Sequence, residues 1–446
     1  MRVIIVGGGI AGLGAAWRLR ELGHEVVLLE QEAEPGGRCR SVHWQGRWAD
    51  TGAVAFLGSE DNLLEQARKL GIGGPDQLVD ITGAQRWTVL VQRRALVDIG
   101  AFDLSAAARH PMIPLREKAR LLAALPRLTR LAMAADPREI TSTAALDDEN
   151  ACAFFRRLSP TFVDYFLEPC MGMFCGYGEE DYSLAWLAWS AAGRLSWSGD
   201  HVWTFREGGA GRLTREMGRA LGADPGVELR LGSRALAVRN TGTRVLVDVD
   251  DGQAAHSLEA DAAILAVPGH CVAGLLPALD TARRRFLEGI DYAGHHILYY
   301  LLDRPQGALR DTCVLPAADG FRRTGNLRFT DLGNGTTFAH AQWKDHGCRA
   351  HAQASDDELL DLAWADAQEA LPELRGTRRI DSFAARQPAA ICKRPQGYIR
   401  QLRAFHALGP LPRIGFCGDW LSNSTVGQSH WTGLQAAEAL SARLAG

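Results

Sequence analysis

Residues 3–12 read Val3-Ile4-Ile5-Val6-Gly7-Gly8-Gly9-Ile10-Ala11-Gly12, and the fold turns on them. The β-branched run suits a buried strand. The glycines that follow have G-x-G-x-x-G spacing at Gly7, Gly9 and Gly12. Leu13 to Leu22 then puts Leu13, Ala16, Trp17 and Leu19 on one side of a helix, and Gly23 stops it. Val26-Val27-Leu28-Leu29 is a second strand, ending at Glu30. Strand, glycine turn, helix and strand make a β-α-β unit.

Each part has a physical job. Gly7 permits the tight turn, Gly9 admits a pyrophosphate close to the backbone, and Gly12 lets helix and strand pack together. The helix start at Ile10 and Ala11 offers N–H groups and a partial positive charge to phosphates. Glu30, with Gln31 beside it, is placed to accept both hydroxyls of an adenosine ribose. An acid there repels a 2′-phosphate, which favours FAD or NAD over NADP. A strand before the glycines, a helix after them and an acid in place distinguish a dinucleotide turn from a chance glycine loop.

The bulk properties set limits. At 446 residues the chain calls for two domains, with interrupted connectivity. Hydrophobic content of 46% and charged content of 23% are ordinary for a globular protein. A formal net charge of −3 provides no basic field for nucleic acid. The nine cysteines are an odd number and form no C-x-x-C pair, which fits a reduced, cytoplasmic setting. Met1 leads straight into the first strand, so no targeting segment is expected. No apolar run reaches the ~18 residues of a membrane span. The histidines show no metal-ligand spacing, and no metal is expected.

The stretch Glu34-Pro35-Gly36-Gly37-Arg38-Cys39 follows the second strand. It resembles the G-G-R segment of the flavin amine oxidase, protoporphyrinogen oxidase and phytoene desaturase superfamily. The resemblance implies FAD as cofactor, with Gly37 and Arg38 along its pyrophosphate, where a guanidinium fork suits phosphate oxygens. Asp50-Thr51-Gly52-Ala53 resembles the D-x-G-A segment, which implies that the backbone of Gly52 and Ala53 approaches the isoalloxazine ring. Gly208 to Leu213 resembles the G-G-x-x-x-L entry to a helix. Ala235 stands at the position whose backbone meets the adenine. Ala262 to Pro268 resembles the closing strand and A-x-P turn. Ile414 to Trp420 resembles the C-terminal G-D motif, which assigns Gly418 and Asp419 to the ribityl chain or the pyrophosphate region.

The last motif departs from the family. Thr432-Gly433 and Ala436-Ala437 match G-A-x-x-S-G-x-x-A-A, but Gln428-Ser429 replaces the small Gly-Ala pair. His430 and Trp431 are bulky beside it. Gly433 is expected to open a turn, with the N–H groups of Trp431, Thr432 and Gly433 aimed at the flavin C2 carbonyl. His430 and Trp431 would then stand in the wall of the cavity before the flavin; the alternative is that both rings pack under the sheet.

The fold expected is α/β: a Rossmann-type FAD-binding domain with an interleaved α+β substrate-binding domain. The first comprises residues 1–76, 200–275 and 395–446, the second 77–199 and 276–394. Strands are expected over 87–91, 95–99, 296–302 and 337–343, with a helix over 356–370. Residues 147–190 are rich in aromatics, and Phe166 to Phe174 with Tyr182-Ser183-Leu184 resembles the helical substrate region of the protoporphyrinogen oxidase and desaturase branch. Phe174, Tyr177 and Trp203 are candidates to face substrate. Residues 114–135 form a basic, leucine-rich segment, read as a cover helix or as a weak contact with a membrane surface. Pro126 is expected to interrupt it. Many amine oxidases of the family hold a Lys against a water near flavin N5. Lys344 has the right residue type, and an exposed loop position is the alternative.

These readings converge on an FAD-dependent oxidase or dehydrogenase acting on a small molecule. It would take a hydride from an amine or a similar C–H or N–H bond of an aromatic or apolar substrate, with O2 as acceptor. A carbon–carbon desaturase of the protoporphyrinogen or phytoene type, and a non-redox FAD-binding protein, are the alternatives. Substrate identity, oligomeric state and covalent attachment of FAD are left open.

Overall fold

Arg2–Val6 is the central strand of a five-stranded parallel sheet. In a computed structural model that describes residues 1–58, 60–81, 87–92, 95–98, 108–136, 138–195, 202–307 and 309–445, the strands lie in the order Val227–Arg230, Glu25–Leu29, Arg2–Val6, Ala262–Leu265, Ile414–Phe416. Every neighbouring pair is parallel. Val3, Ile4 and Ile5 have no accessible surface, as expected of a strand covered on both faces. The helix Ile10–Glu21 carries the chain from the first strand to the second.

The chain divides into two compact units. The first comprises Met1–Asp80, Gly199–Asp291 and Gln401–Gly446; the second comprises Ile81–Ser198 and Tyr292–Arg400. Residues 276–291 thus belong to the first unit and 395–400 to the second, so these two crossings lie sixteen and six residues later in the chain than expected. The helix Thr281–Glu288 is held in the first unit by Arg283, which donates to the carbonyls of Leu408 and Gly409.

Two glycines set how closely the first helix packs. A Cβ on Gly12 would lie 1.9 Å from the carbonyl oxygen of Gly7. A Cβ on Gly433, in the final helix Val426–Ala445, would lie 2.1 Å from the carbonyl oxygen of Ala11. Gly433 therefore does not open a turn; it sits inside a helix that starts seven residues earlier. Its bare backbone is the contact surface between the first helix and the last.

The second unit holds a seven-stranded sheet in the order Arg379–Ala385, Ile297–Leu302, Thr337–Trp343, Thr324–Asp331, Thr312–Val314, Trp87–Val91, Ala95–Asp98. One face is apolar. Leu298, Tyr300, Leu327, Phe329, Ala341 and Trp343 pack with Leu359, Leu360, Ala363 and Ala367 of the helix Asp356–Ala370. Ser355 caps that helix by a capping box with Glu358. Besides a short antiparallel pair, Tyr292–Ala293 with Ile391–Cys392, the unit has the helices Leu115–Met133, Ala151–Leu158 and Leu184–Leu195, and a helical run from Pro160 to Cys175 with a π turn at Val163–Leu167. Pro126 lies inside the helix Leu115–Met133 without breaking it. Of the expected strands over 87–91 and 95–99, residue 99 lies outside the described residues.

Gly→Ala inside an exposed helix ordinarily stabilises by up to about 1 kcal/mol. Gly433→Ala is expected to do the reverse, because its methyl meets the Ala11 carbonyl, and overpacking costs ~1–3 kcal/mol. Thermal melts measure the sign; a variant as stable as the parent would show that the two helices do not touch at Gly433.

Candidate active site

Gly7 holds φ +106°, and a Cβ there would lie 2.6 Å from the Ala266 carbonyl oxygen. From Gly9, by contrast, a Cβ would meet nothing within 4 Å. The first helix starts at Ile10, and Gly9 caps it without any side-chain hydrogen bond. The first bond of its ladder runs from Leu13 N–H to the Gly9 carbonyl at 2.9 Å. The N–H groups of Ile10, Ala11 and Gly12 thus precede the ladder, beside open space over Gly9. Uncapped donors next to a bare backbone form a cradle for an anion.

Glu30 ends the second strand, almost buried. Its Oε2 accepts from Gly8 N–H at 2.7 Å and its Oε1 from Glu32 N–H at 2.9 Å. A carboxylate has about four lone-pair sites, so each oxygen retains capacity for a hydroxyl. Ser233 N–H donates to the Glu30 carbonyl at 2.8 Å and Gly232 N–H to that of Glu32 at 2.9 Å. These bonds bring the strand Arg234–Asn240, with Ala235 at its start, to the same edge. Gln31 is exposed beside it.

Four separate stretches of sequence meet at Arg38. Its guanidinium pairs bidentately with Asp419, NH1 to Oδ2 at 2.9 Å and NH2 to Oδ1 at 2.8 Å. Ala53 N–H donates to the Arg38 carbonyl at 3.0 Å, and a Cβ on Gly52 would lie 2.1 Å from that oxygen. Gly36 N–H donates to the Gly8 carbonyl at 2.8 Å, and a Cβ on Gly37 would lie 3.4 Å from Gly9 Cα. Gly418, with φ +139°, donates its N–H to Thr432 Oγ1 at 2.9 Å. The glycine cradle, an acid with spare acceptor capacity at the end of the second strand and an oriented guanidinium fit an FAD-type dinucleotide.

Two residues of this region were not read from the sequence. Ser424 Oγ donates to Asp419 Oδ2 at 2.8 Å. Glu60 is buried and accepts from Gly427 N–H at 3.0 Å and Leu57 N–H at 3.1 Å, so it caps the final helix. Burial pushes its carboxyl above the usual carboxylate range. The polar run Ser422-Asn423-Ser424-Thr425 is a helix-start signal, but a cap reaching back from residue 60 has no local signature.

Several expected positions are corrected. Because the final helix begins at Val426, its ladder starts with Ser429 N–H bonded to the Thr425 carbonyl. The N–H groups of Trp431, Thr432 and Gly433 lie beyond that point, inside the helix. His430 is not in a cavity wall with Trp431. Its ring is buried, its Nδ1 is 2.9 Å from Asn62 Nδ2, and its Cδ2 lies 2.6 Å from where a Gly14 Cβ would stand. Burial pushes its pKa down to about 4, so the ring is neutral packing between two helices. Trp431 points away from that core and is 37% exposed.

Tyr177 has no accessible surface; its hydroxyl donates to the Cys392 carbonyl and its ring stacks on Tyr182. Trp203 belongs to the first unit, wedged against Phe56 and Phe205. Both are packing residues. Phe174 does present surface, 38% exposed and edge-on to Trp87. Lys344 is not on an exposed loop. It is buried, with Nζ 2.8 Å from Glu168 Oε1 and 3.2 Å from the Leu315 carbonyl oxygen. Its stem passes Gly172 and Gly325, where a Cβ would come within 2.9 and 3.2 Å of it.

The seven-stranded sheet has a second face of different character, opposite the helix Asp356–Ala370 and largely buried. Register puts Thr312, Arg328, His340, Tyr299 and Phe383 in one row across five strands. Val314, Asn326, Gln342, Ile297 and Ala385 form the next row. Tyr299 lies 5.3 Å from the His340 ring, 5.9 Å from Phe383 and 5.4 Å from Phe338. Asn326 Nδ2 donates to Gln342 Oε1 at 2.6 Å. Burial, aided by the charge of Arg328, pushes His340 down to about 3, so the imidazole is neutral. Among the described residues no group of three His, Cys, Asp or Glu is arranged to hold a metal.

Glu30→Ala removes a charged acceptor beside the glycine turn. It is expected to weaken FAD binding by about 1.5–3 kcal/mol, the scale of hydrogen bonds to charged groups. Titration of apoprotein with FAD, followed by flavin fluorescence, measures this. An unchanged dissociation constant would remove Glu30 from the ribose.

A family model described as flavin containing amine oxidoreductase matches residues 10–441. Mitochondrial protoporphyrinogen oxidase of Nicotiana tabacum is 26% identical over 186 residues, 41% of this chain and 34% of that protein. The probable flavin-containing monoamine oxidase A of Dictyostelium discoideum is 36% identical over 70 residues, 16% of this chain and 15% of that one. The alignments thus span about a third or less of these curated relatives. The solved structure of cyclohexylamine oxidase from Brevibacterium oxydans shares the fold, with a TM-score of 0.76, 18% identity and coverage of 100% of this chain and 99% of that one. With the family model running through nearly the whole chain and a fitting cradle at its start, the protein belongs to the flavin-containing amine oxidoreductase family and uses FAD.

Proposed function

We propose that the protein is an FAD-dependent oxidase of a small amine with an aromatic or apolar body, with O2 as electron acceptor. The observation that carries this reading is the sheet face of the second unit. Its first two rows hold aromatic rings, an amide pair, a neutral imidazole and one guanidinium, and no carboxylate. Bound FAD supplies the hydride acceptor and passes the electrons on to O2. The chain supplies anchoring, through Glu30 and the glycine cradle, and a setting for the substrate.

That setting acts on the amine's protonation. An ammonium cannot release a hydride from its α-carbon readily, because its nitrogen lone pair is occupied by a proton. Rows without a carboxylate do not stabilise the cation, and the positive Arg328 opposes it, so a bound amine has a lowered pKa. Half-buried Phe383, packed on buried Tyr299, offers flat apolar surface, and neutral His340 and Gln342 offer acceptors for an N–H.

The test is the holoenzyme with a panel of aromatic and alicyclic amines, read by O2 uptake and product mass. The expected product is an imine, hydrolysed to a carbonyl with release of ammonia, and one H2O2 per turnover. A product that keeps its nitrogen and skeleton but has lost two hydrogens from a carbon–carbon bond supports desaturation instead. Flavin that no substrate reduces would support a non-redox role.

Two variants sharpen it. The acid limb of kcat against pH reports deprotonation of the bound amine, and Arg328→Gln is expected to move that limb to higher pH by removing a positive neighbour. An unmoved limb would place Arg328 away from the substrate. Lys344→Met strips the partner from buried Glu168 and is expected to cost about 3–5 kcal/mol of stability. Slower reoxidation of the reduced flavin by O2, with unchanged stability, would assign Lys344 to the flavin side instead.

A further inference from the structure

The helix Leu115–Met133 has two apolar faces. The inner face docks on the helices Ala151–Leu158 and Leu184–Leu195. Its acid, Glu117, is buried there and accepts from Ser159 Oγ at 2.7 Å. The outer face carries Leu115, Leu122 and Met133, separated by seven and eleven residues, which keeps them on one side of a helix. They are 83%, 58% and 76% exposed, the three most exposed large apolar side chains among the described residues. Ala119 and Pro126 are exposed between them. Single exposed leucines are ordinary. A stripe running the length of one helix, ~28 Å at 1.5 Å per residue, is not.

The charges on this helix are sorted as well. By the same periodicity Arg116, Arg120, Arg127 and Arg130 lie along one flank of the stripe and Lys118 along the other. The Arg127 guanidinium stands 5.8 Å from the Phe154 ring. With Glu117 buried, every exposed charge on the helix is positive, in a chain whose formal net charge is −3.

We propose that this helix docks the protein, lying flat, on a membrane surface that bears anionic phospholipid. The stripe enters the boundary between headgroups and acyl chains, and the flanking side chains extend their charged ends to lipid phosphates. No helix of the described residues is long and apolar enough to cross a membrane, so the contact is peripheral. Charge also argues against a second copy as the occupant, since two such helices would bring like-charged flanks together. The proposal rests on this helix alone and is independent of the substrate.

The experiment is sedimentation of the FAD-loaded protein with vesicles of phosphatidylcholine, alone or mixed with phosphatidylglycerol. Binding to the mixed vesicles is expected, at least ~10-fold weaker to phosphatidylcholine alone and at high salt. Leu122→Asp and Met133→Asp are expected to abolish it with flavin content and melting temperature unchanged, since both side chains stand in water. Arg116→Gln with Arg120→Gln is expected to lower the partition coefficient about tenfold or more. Equal recovery with both vesicles, no recovery with either, or variants that pellet like the parent would overturn the proposal. So would a concentration-dependent dimer, abolished by Leu122→Asp, in a protein that leaves mixed vesicles unbound.

Discussion

The first helix is pressed at backbone distance on two sides, and the cofactor cradle depends on that. On one side Gly12 lets it approach the turn at Gly7; on the other Gly433 lets the final helix approach Ala11. A side chain at either glycine would collide with a carbonyl oxygen, which cannot swing away as a flexible side chain can. The direction of the helix start, and with it the aim of the donors at Ile10 and Ala11, is therefore set by main-chain contact. Main-chain contact is stiffer than side-chain packing, and a site that binds phosphate through N–H groups needs stiffness.

Charge is then placed around that rigid turn with few free choices. Glu30 has one oxygen on Gly8 N–H and the other on Glu32 N–H, so the carboxylate plane is fixed before any ligand arrives. Asp419 does the same for Arg38 through two parallel bonds. Asp419 is itself held by Ser424, and the turn before it by Thr432. Ordering these side chains within the protein lowers the entropy lost when a dinucleotide binds.

Much of this was legible in the sequence, for a physical reason. The glycine turn, Glu30, Gly37, Arg38, Gly52, Ala53 and Asp419 act through backbone conformation or charge at short range from a strand end, and such constraints leave fixed residue types at fixed spacing. The errors fall where a residue's fate depends on partners distant in the chain. His430 looked like a cavity ring, and Asn62 together with the bare face of Gly14 makes it core. For Lys344 only the exposed-loop alternative fails: Glu168, far earlier in the chain, buries it. A proline in mid-segment predicts a break, yet the helix continues through Pro126. The polar rows of the second sheet are not legible in the sequence, because the alternation Phe338-Ala339-His340-Ala341-Gln342 identifies two faces without saying which one is covered.

The order of the first sheet has a consequence for biosynthesis. Its strands come from residues 2–6, 25–29, 227–230, 262–265 and 414–416, and the helix that locks its first turn spans 426–445. A ribosome adding ~5–20 residues per second would reach the last of these only roughly 20–80 s after the first emerges. Until residues 262–265 have been made, the apolar strand Arg2–Val6 has its Glu25–Leu29 neighbour but not Ala262–Leu265. The nascent chain thus carries an open edge of Val and Ile, the kind of segment that recruits chaperones or aggregates. Cofactor capture is correspondingly late, and cellular FAD concentration, by mass action on the finished cradle, becomes a determinant of how much of the newly made protein survives.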